Sequence, residues 1–293
     1  MNRVGLGLGE VRRLDASYWR PDVLLLLVSC GLLLLGYFAS AALWGRIVVD
    51  LGGPALPMWD AIRLFMVANL GRYIPGKVWQ IAGLAVMARN RGVPAAAATG
   101  AAVVGQGIAL AAATLVALGA LVGGPAEIRA WGLPGAGVVV AVTAIGLLPP
   151  VFARATALWF RVSKQEAPAN LGSIHALRWL VLYVGNWILY AFSFWVLATS
   201  FGHRGDVIPV ASAFAAAYVL GYVMIFAPAG VGVREGFLVA FLSPYLGVGP
   251  AGVLAVVARL WTTVLELVPA AAFWLRHLMS GNGHANGGEG TGG

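Results

Sequence analysis

Apolar residues run through this chain in long unbroken stretches, without the alternation of polar and apolar faces that marks a soluble helix or strand. Uncharged runs cover residues 23–44, 95–122, 133–152 and 179–201. A last apolar run covers 252–274 and carries Arg259 and Glu266 inside it. Crossing a hydrocarbon core of about 30 Å takes about 20 residues of helix, so each run predicts a membrane crossing. Two further segments, 57–94 and 209–250, are apolar but interrupted, the first at Pro75-Gly76 and the second at Pro228-Ala229-Gly230. Proline removes a backbone donor and clashes with the preceding turn, and glycine lets the chain reverse. Each segment therefore predicts a hairpin of two half-length helices.

The breaks recur at matched intervals. Pro57, Pro75 and Pro94 are 18 and 19 residues apart, and Pro209, Pro228 and Pro250 are 19 and 22 apart. Both halves read as crossing helix, broken hairpin, crossing helix, and the run at 133–152 stands alone between them. One extra crossing turns the second half upside down relative to the first. That is the inverted repeat of many secondary transporters, whose sites lie at interrupted segments in corresponding positions. The predicted fold class is all-α: a polytopic transmembrane helix bundle with two Pro/Gly-broken hairpins. Residues 1–20 form a basic cytoplasmic segment, 21–276 the membrane domain, and 277–293 a Gly-rich tail expected to be disordered.

Arg3, Arg12, Arg13 and Arg20 ahead of the first run place the amino terminus in the cytoplasm by the positive-inside rule. If both hairpins re-enter, the loop carrying Arg154, Arg161, Lys164 and Arg178 falls on the opposite side. If the first hairpin crosses, that loop and Arg89 and Arg91 fall inside. Sequence patterning leaves both arrangements open.

Composition excludes a soluble domain. Of 293 residues, 60% are apolar and 10% charged, against about 25% charged in ordinary soluble proteins. The net charge of +8 is spread over tails, loops and segment ends, without the basic, aromatic-interleaved patch of a nucleic-acid binder. A single cysteine, Cys30, permits no intramolecular disulfide. Leu27-Val28-Ser29-Cys30 resembles a lipoprotein cleavage box, but the apolar run continues through Leu35, as in an uncleaved helix.

The candidate chemistry sits at the breaks. Asp60 and Arg63, three residues apart, can pair on one helix face. Arg72 and Lys77 flank Pro75-Gly76 with no acidic neighbour in sequence. At the second break, Gly230 and Gly232 expose backbone amides, and a helix starting near Val233 turns its positive end toward the gap. Arg234 adds a full charge there. Its neighbour Glu235 points about 100° away. Arg259 and Glu266 are seven residues apart, hence on one face about 10 Å apart, and each should meet a partner from another segment, such as Glu235 or Arg234. Gln106 and Asn186 are placed for interhelical hydrogen bonds. These positions define a site in which Arg72, Lys77 and Arg234, with Gly76, Gly230 and Gly232, hold a phosphate or headgroup. Arg63, Glu235, Arg259 and Glu266 form the surrounding charge network, and Pro75 and Pro228 make the breaks.

Enzyme signals are weak. Gly71 to Lys77 fits the start of a phosphate-binding loop, but Val78 stands where the magnesium-binding hydroxyl belongs and no soluble strand precedes it. His175, His203, His277 and His284 lack metal-ligand spacing, so neither metal nor cofactor is expected.

The motifs Gly71-Arg-Tyr-Ile-Pro-Gly-Lys-Val-Trp79 and Pro228-Ala-Gly-Val-Gly-Val-Arg-Glu235 closely resemble those of the lysylphosphatidylglycerol synthase transmembrane family, the flippase-like domain. The resemblance runs from about residue 20 to 276. It implies translocation of an anionic phospholipid or lipid-linked glycan precursor between leaflets of a bacterial inner membrane. Members of the lysyl-transferring type add a soluble aminoacyltransferase domain. This chain ends in the Gly-rich tail instead, so synthase activity is not expected. The implied partner is membrane lipid, with a homo-oligomer or envelope-biosynthesis proteins as further partners. A small-solute transporter and a non-catalytic accessory protein of envelope assembly are the alternatives.

Overall fold

The computed structural model describes residues 20–74, 78–123, 126–168, 170–203, 205–224 and 230–282, and these contain helices and no strands. The first crossing helix, α1 (Val23–Asp50), is capped by Asp22, whose carboxylate accepts the Leu25 amide at 3.1 Å. It lies antiparallel to α7 (Ser173–Ser200). At one end the Asp22 amide donates to the Ser200 carbonyl at 2.8 Å. At the other, Arg178 and the Trp179 indole donate to Asp50 at 2.6 and 2.8 Å. These pairs define a Ser200 end and an Asp50 end of the bundle.

Both broken hairpins re-enter. From the Asp50 end, α2 (Met58–Asn69) leads into a 3-10 turn (Leu70–Tyr73), and α3 (Val78–Arg89) returns. Asp60, in the first turn of α2, pairs with Arg91, just beyond α3, so the hairpin opens and closes on one side. Nearer the tip, Gln80 donates to Asn69 at 2.5 Å. The arrangement in which this hairpin crosses is thereby overturned. So is the local pair expected between Asp60 and Arg63: Arg91, across the mouth, holds the carboxylate instead. From the opposite, Ser200 end come α8 (Val207–Val223) and α9 (Val233–Leu246). α10 (Val248–Asn282) follows a turn at Gly247 and crosses back toward α2.

α4 (Ala95–Gly123) crosses from the Asp50 end to the Ser200 end, with Gly100 beside Leu51 and Gly119 beside Ser212. α5 (Ala126–Leu147) runs back. The single helix expected over 133–152 is broken: at Leu148 the chain bends by 79° into α6 (Pro149–Val162). Pro149 and Pro150 cannot supply the amides that would continue α5, but they suit the first turn of a new helix. α6 exposes Leu158 and Val162 together with Arg154 and Arg161, the makeup of a helix lying along a membrane surface.

Packing follows the repeat. α1 meets α2 as α7 meets α8; α3 meets α4 as α9 meets α10; and α4 meets α8 as α10 meets α2. α1, α4, α7 and α10 are each long and apolar enough to cross a bilayer, and the bent α5–α6 pair passes that test only when its two helices are taken together. α10 extends to Asn282, past the expected domain boundary at 276. The amino-terminal segment up to residue 19 and the tail from 283 lie outside the described residues.

At the tip of the first hairpin, Gly71 lies against the returning strand of chain. A Cβ there would fall 2.6 Å from the Gln80 backbone nitrogen and 2.8 Å from the Trp79 carbonyl carbon. Backbone cannot yield as a side chain can. Gly71→Ala is expected to lower the melting temperature in detergent by several degrees. Gly83→Ala, whose Cβ meets nothing within 4 Å, should leave it unchanged or raise it slightly, as glycine removal within a helix does.

Candidate functional site

Where the Leu70–Tyr73 turn and the start of α9 approach, the helices leave a cavity of about 100 Å³. A second chamber, about 60 Å³, shares Arg72, Gln80, Gln106, Tyr218, Arg234 and Glu266 with it. Tyr37, halfway along the 28-residue α1, lines the first. It lies about 20 Å from either end of its helix, close to the midplane of a bilayer.

One carboxylate organises the wall. Glu266 of α10 is 5% exposed and accepts from three donors: Arg72 at 2.7 Å, the Tyr37 hydroxyl at 3.0 Å, and the Tyr73 hydroxyl at 2.7 Å. It thus ties the first hairpin's tip to α1 and α10. Arg72, read from sequence as a cation without an acidic neighbour, has its counterion here, 194 residues along the chain.

Arg234, in the first turn of α9, stands differently. Its guanidinium carbon lies 4.6 Å from the Phe214 ring centroid and 5.8 Å from that of Tyr218, and among the described residues it has no acidic partner within 4 Å. Stacking on aromatic faces leaves the five N–H donors on the guanidinium edge directed elsewhere, and Arg234 lines both chambers. Glu235 turns away: one oxygen accepts the Gly232 amide at 2.6 Å, satisfying an early donor of α9, and the other lies 3.7 Å from Arg259. The glycines at this break adopt the left-handed conformation, φ +69° at Gly230 and +80° at Gly232. A Cβ on Gly230 would press against the Gly221 carbonyl oxygen at 3.2 Å.

Of the residues predicted from sequence, Arg72, Arg234, Gly230, Arg259 and Glu266 line the connected chambers, with Glu235 paired behind Arg259 and Gly232 capped by Glu235. Arg63 lines neither chamber and forms no ion pair among the described residues. Pro75, Gly76, Lys77 and Pro228 lie outside the described residues.

A polar shelf lies beside the charges, where Asn186 makes the interhelical hydrogen bond expected of it and Ser40 and Tyr190 are partners that sequence reasoning missed. Asn186 donates to Ser40 at 2.8 Å, and Ser40 shares a 2.9 Å hydrogen bond with the Tyr190 hydroxyl. Leu33, Tyr37, Ser40 and Trp44 all line the cavity. Their spacing of four, three and four residues is the one-face signature of a helix, legible in the sequence but masked by high hydropathy.

The chain belongs to the family described as the lysylphosphatidylglycerol synthase TM region, whose pattern matches residues 5–270. No match is found among curated proteins or solved structures. Family and fold together define a multi-pass membrane protein of lipid or envelope metabolism.

Proposed function

We propose that the protein is a lipid translocase, moving an anionic phospholipid or lipid-linked glycan precursor between the leaflets of a bacterial inner membrane without chemically altering it. The observation that carries this reading is a cationic, partly aromatic cavity at bilayer depth, placed between hairpin tips that enter from opposite faces. Arg234 receives the phosphate, and Arg72 can join it by exchanging Glu266 for the ligand. Non-α-helical backbone at Leu70–Tyr73 and Gly230 is tolerated because Arg72, Tyr73 and Gly230 line a cavity rather than lipid. The arginines ahead of α1 favour a cytoplasmic amino terminus. With both hairpins re-entrant, Arg46, Arg91 and Arg178 then face outward with the Asp50 end. A cysteine introduced at exposed Gly202, in the Cys30→Ser background, should resist an impermeant thiol reagent in whole cells and react after permeabilisation.

The deciding experiment measures leaflet transfer in proteoliposomes, using fluorescent phospholipids and polyprenyl phosphates with a membrane-impermeant quencher. At least one anionic lipid is expected to equilibrate tenfold or more faster than in protein-free vesicles. Transfer indistinguishable from empty vesicles across the panel would overturn the reading.

A further inference from the structure

The cavity is chemically divided. One end holds the cations. The other, one to two helical turns along α1 toward the Asp50 end, holds Ser40, Trp44, Asn186 and Tyr190, and Gln106, which lines both chambers, stands between the two ends. Three buried polar atoms lining the cavity have no hydrogen-bond partner among the described residues: the Gln106 amide nitrogen, the Trp44 indole nitrogen and the Asn186 carbonyl oxygen. Buried polar groups in folded proteins are almost always satisfied, and exceptions call for an explanation. Two of these are donors and one is an acceptor. A phosphate accepts only, so it can satisfy the donors but not Asn186. A hydroxyl both donates and accepts, and several on one ring match a mixed set. Trp187 and Tyr190, packed edge to face at 5.4 Å between centroids, also line the cavity and offer aromatic surface to the C–H face of such a ring.

Charge narrows the phosphate. Among the described residues, Arg72, Arg234, Arg259 and Glu266 line the cavities, and with Glu235 pairing Arg259 from behind, a single positive charge is left. A phosphodiester carries one negative charge and balances it; a terminal phosphate carries more. A headgroup bearing an extra ammonium would find Glu266, the one carboxylate among the described residues that line the cavities, already accepting from three donors.

Building on the translocase reading, we infer that the ligand is a lipid with a hydroxyl-rich ring, a sugar or cyclic polyol, joined through a phosphodiester. The ring occupies the Ser40–Trp44–Asn186 shelf and the phosphodiester lies at Arg234. Inositol phospholipids and sugar-linked prenyl phosphates share this chemistry.

Equilibrium binding to the detergent-purified full chain tests it, with dioctanoyl phosphatidylinositol, dioctanoyl phosphatidic acid, dioctanoyl lysylphosphatidylglycerol, a short-chain prenyl phosphate and its glucosyl phosphodiester as probes. At least one ring-bearing phosphodiester is expected to bind tenfold or more tighter than the partner lacking the ring. Which of the two does so identifies the lipid source. Trp44→Phe and, separately, Asn186→Leu should shrink that preference to less than threefold while phosphatidic acid binds as before. Because Asn186 also braces Ser40, Trp44→Phe decides should Asn186→Leu fail to fold. Equal binding of ringed and ringless lipids, tighter binding of the lysyl lipid, or no binding of any probe overturns the inference. Selective binding without leaflet transfer would overturn the translocase reading and leave this one standing.

Discussion

Glu266→Ala is expected to unsettle the whole bundle. The substitution leaves the Arg72 guanidinium and the Tyr37 hydroxyl buried without their acceptor, and it unties the first hairpin from α1 and α10 at once. Removing one member of a buried ion pair typically destabilises by about 3–5 kcal/mol, because the remaining charge stays desolvated. Arg72 is 26% exposed, facing the cavity, so the lower part of that range applies. Glu266→Gln keeps an acceptor for both tyrosines and should lose less. In the double variant Arg72→Ala with Glu266→Ala the stranded charge is gone, and at least half of the lost stability should return. Thermal melts in a single detergent read all three. A melting temperature for Glu266→Ala within a degree of wild type would show that the carboxylate does not hold the hairpin.

Arg234→Ala should have the opposite profile: little change in melting temperature and a large loss of transport. No ion pair of the resting protein is lost, only the contact with Phe214 and Tyr218. A hydrogen bond to a charged group contributes about 1.5–3 kcal/mol. Removing the guanidinium should therefore slow transfer of the cognate lipid by about 10- to 100-fold. Arg234→Lys keeps the charge but neither stacks flat on Phe214 nor presents a planar fork, so an intermediate rate is expected. Initial rates of quencher-accessible signal measure this. A rate for Arg234→Ala equal to wild type would remove Arg234 from the transport path.

The contrast between these residues shows where the sequence was informative. Pro75 and the glycines around Gly230 announced two hairpins, and the start of α9 at Val233 matches the helix expected there. Hydropathy located the crossing helices because apolar length is a local property of the chain. Ion pairing is not local. Asp60 chose Arg91 over the nearer Arg63 because closing the hairpin brings α2's first turn to α3's end, and no spacing rule carries that information. The same holds for Arg72 and Glu266. The bend at Leu148 was foreshadowed by Pro149-Pro150, but a run of apolar residues on both sides disguised it. Asn186 stood out as a lone amide and makes its interhelical bond, but its partners Ser40 and Tyr190 escaped because isolated hydroxyls barely lower the hydropathy of a crossing helix.

The unmatched charge on Arg234 has an electrical consequence for a transport cycle. Counted over the described residues, the cavity carries one excess positive charge and becomes neutral when a monoanionic headgroup enters it. The loaded protein could then change its facing without moving charge across the membrane field, whereas the empty one would carry a unit charge through whatever fraction of the field its rearrangement spans. A full elementary charge crossing 100 mV corresponds to about 2.3 kcal/mol. With the cell interior negative, the field would favour the empty site facing inward. In the proposed translocase, voltage would thus act on the return step and bias loading toward the cytoplasmic leaflet.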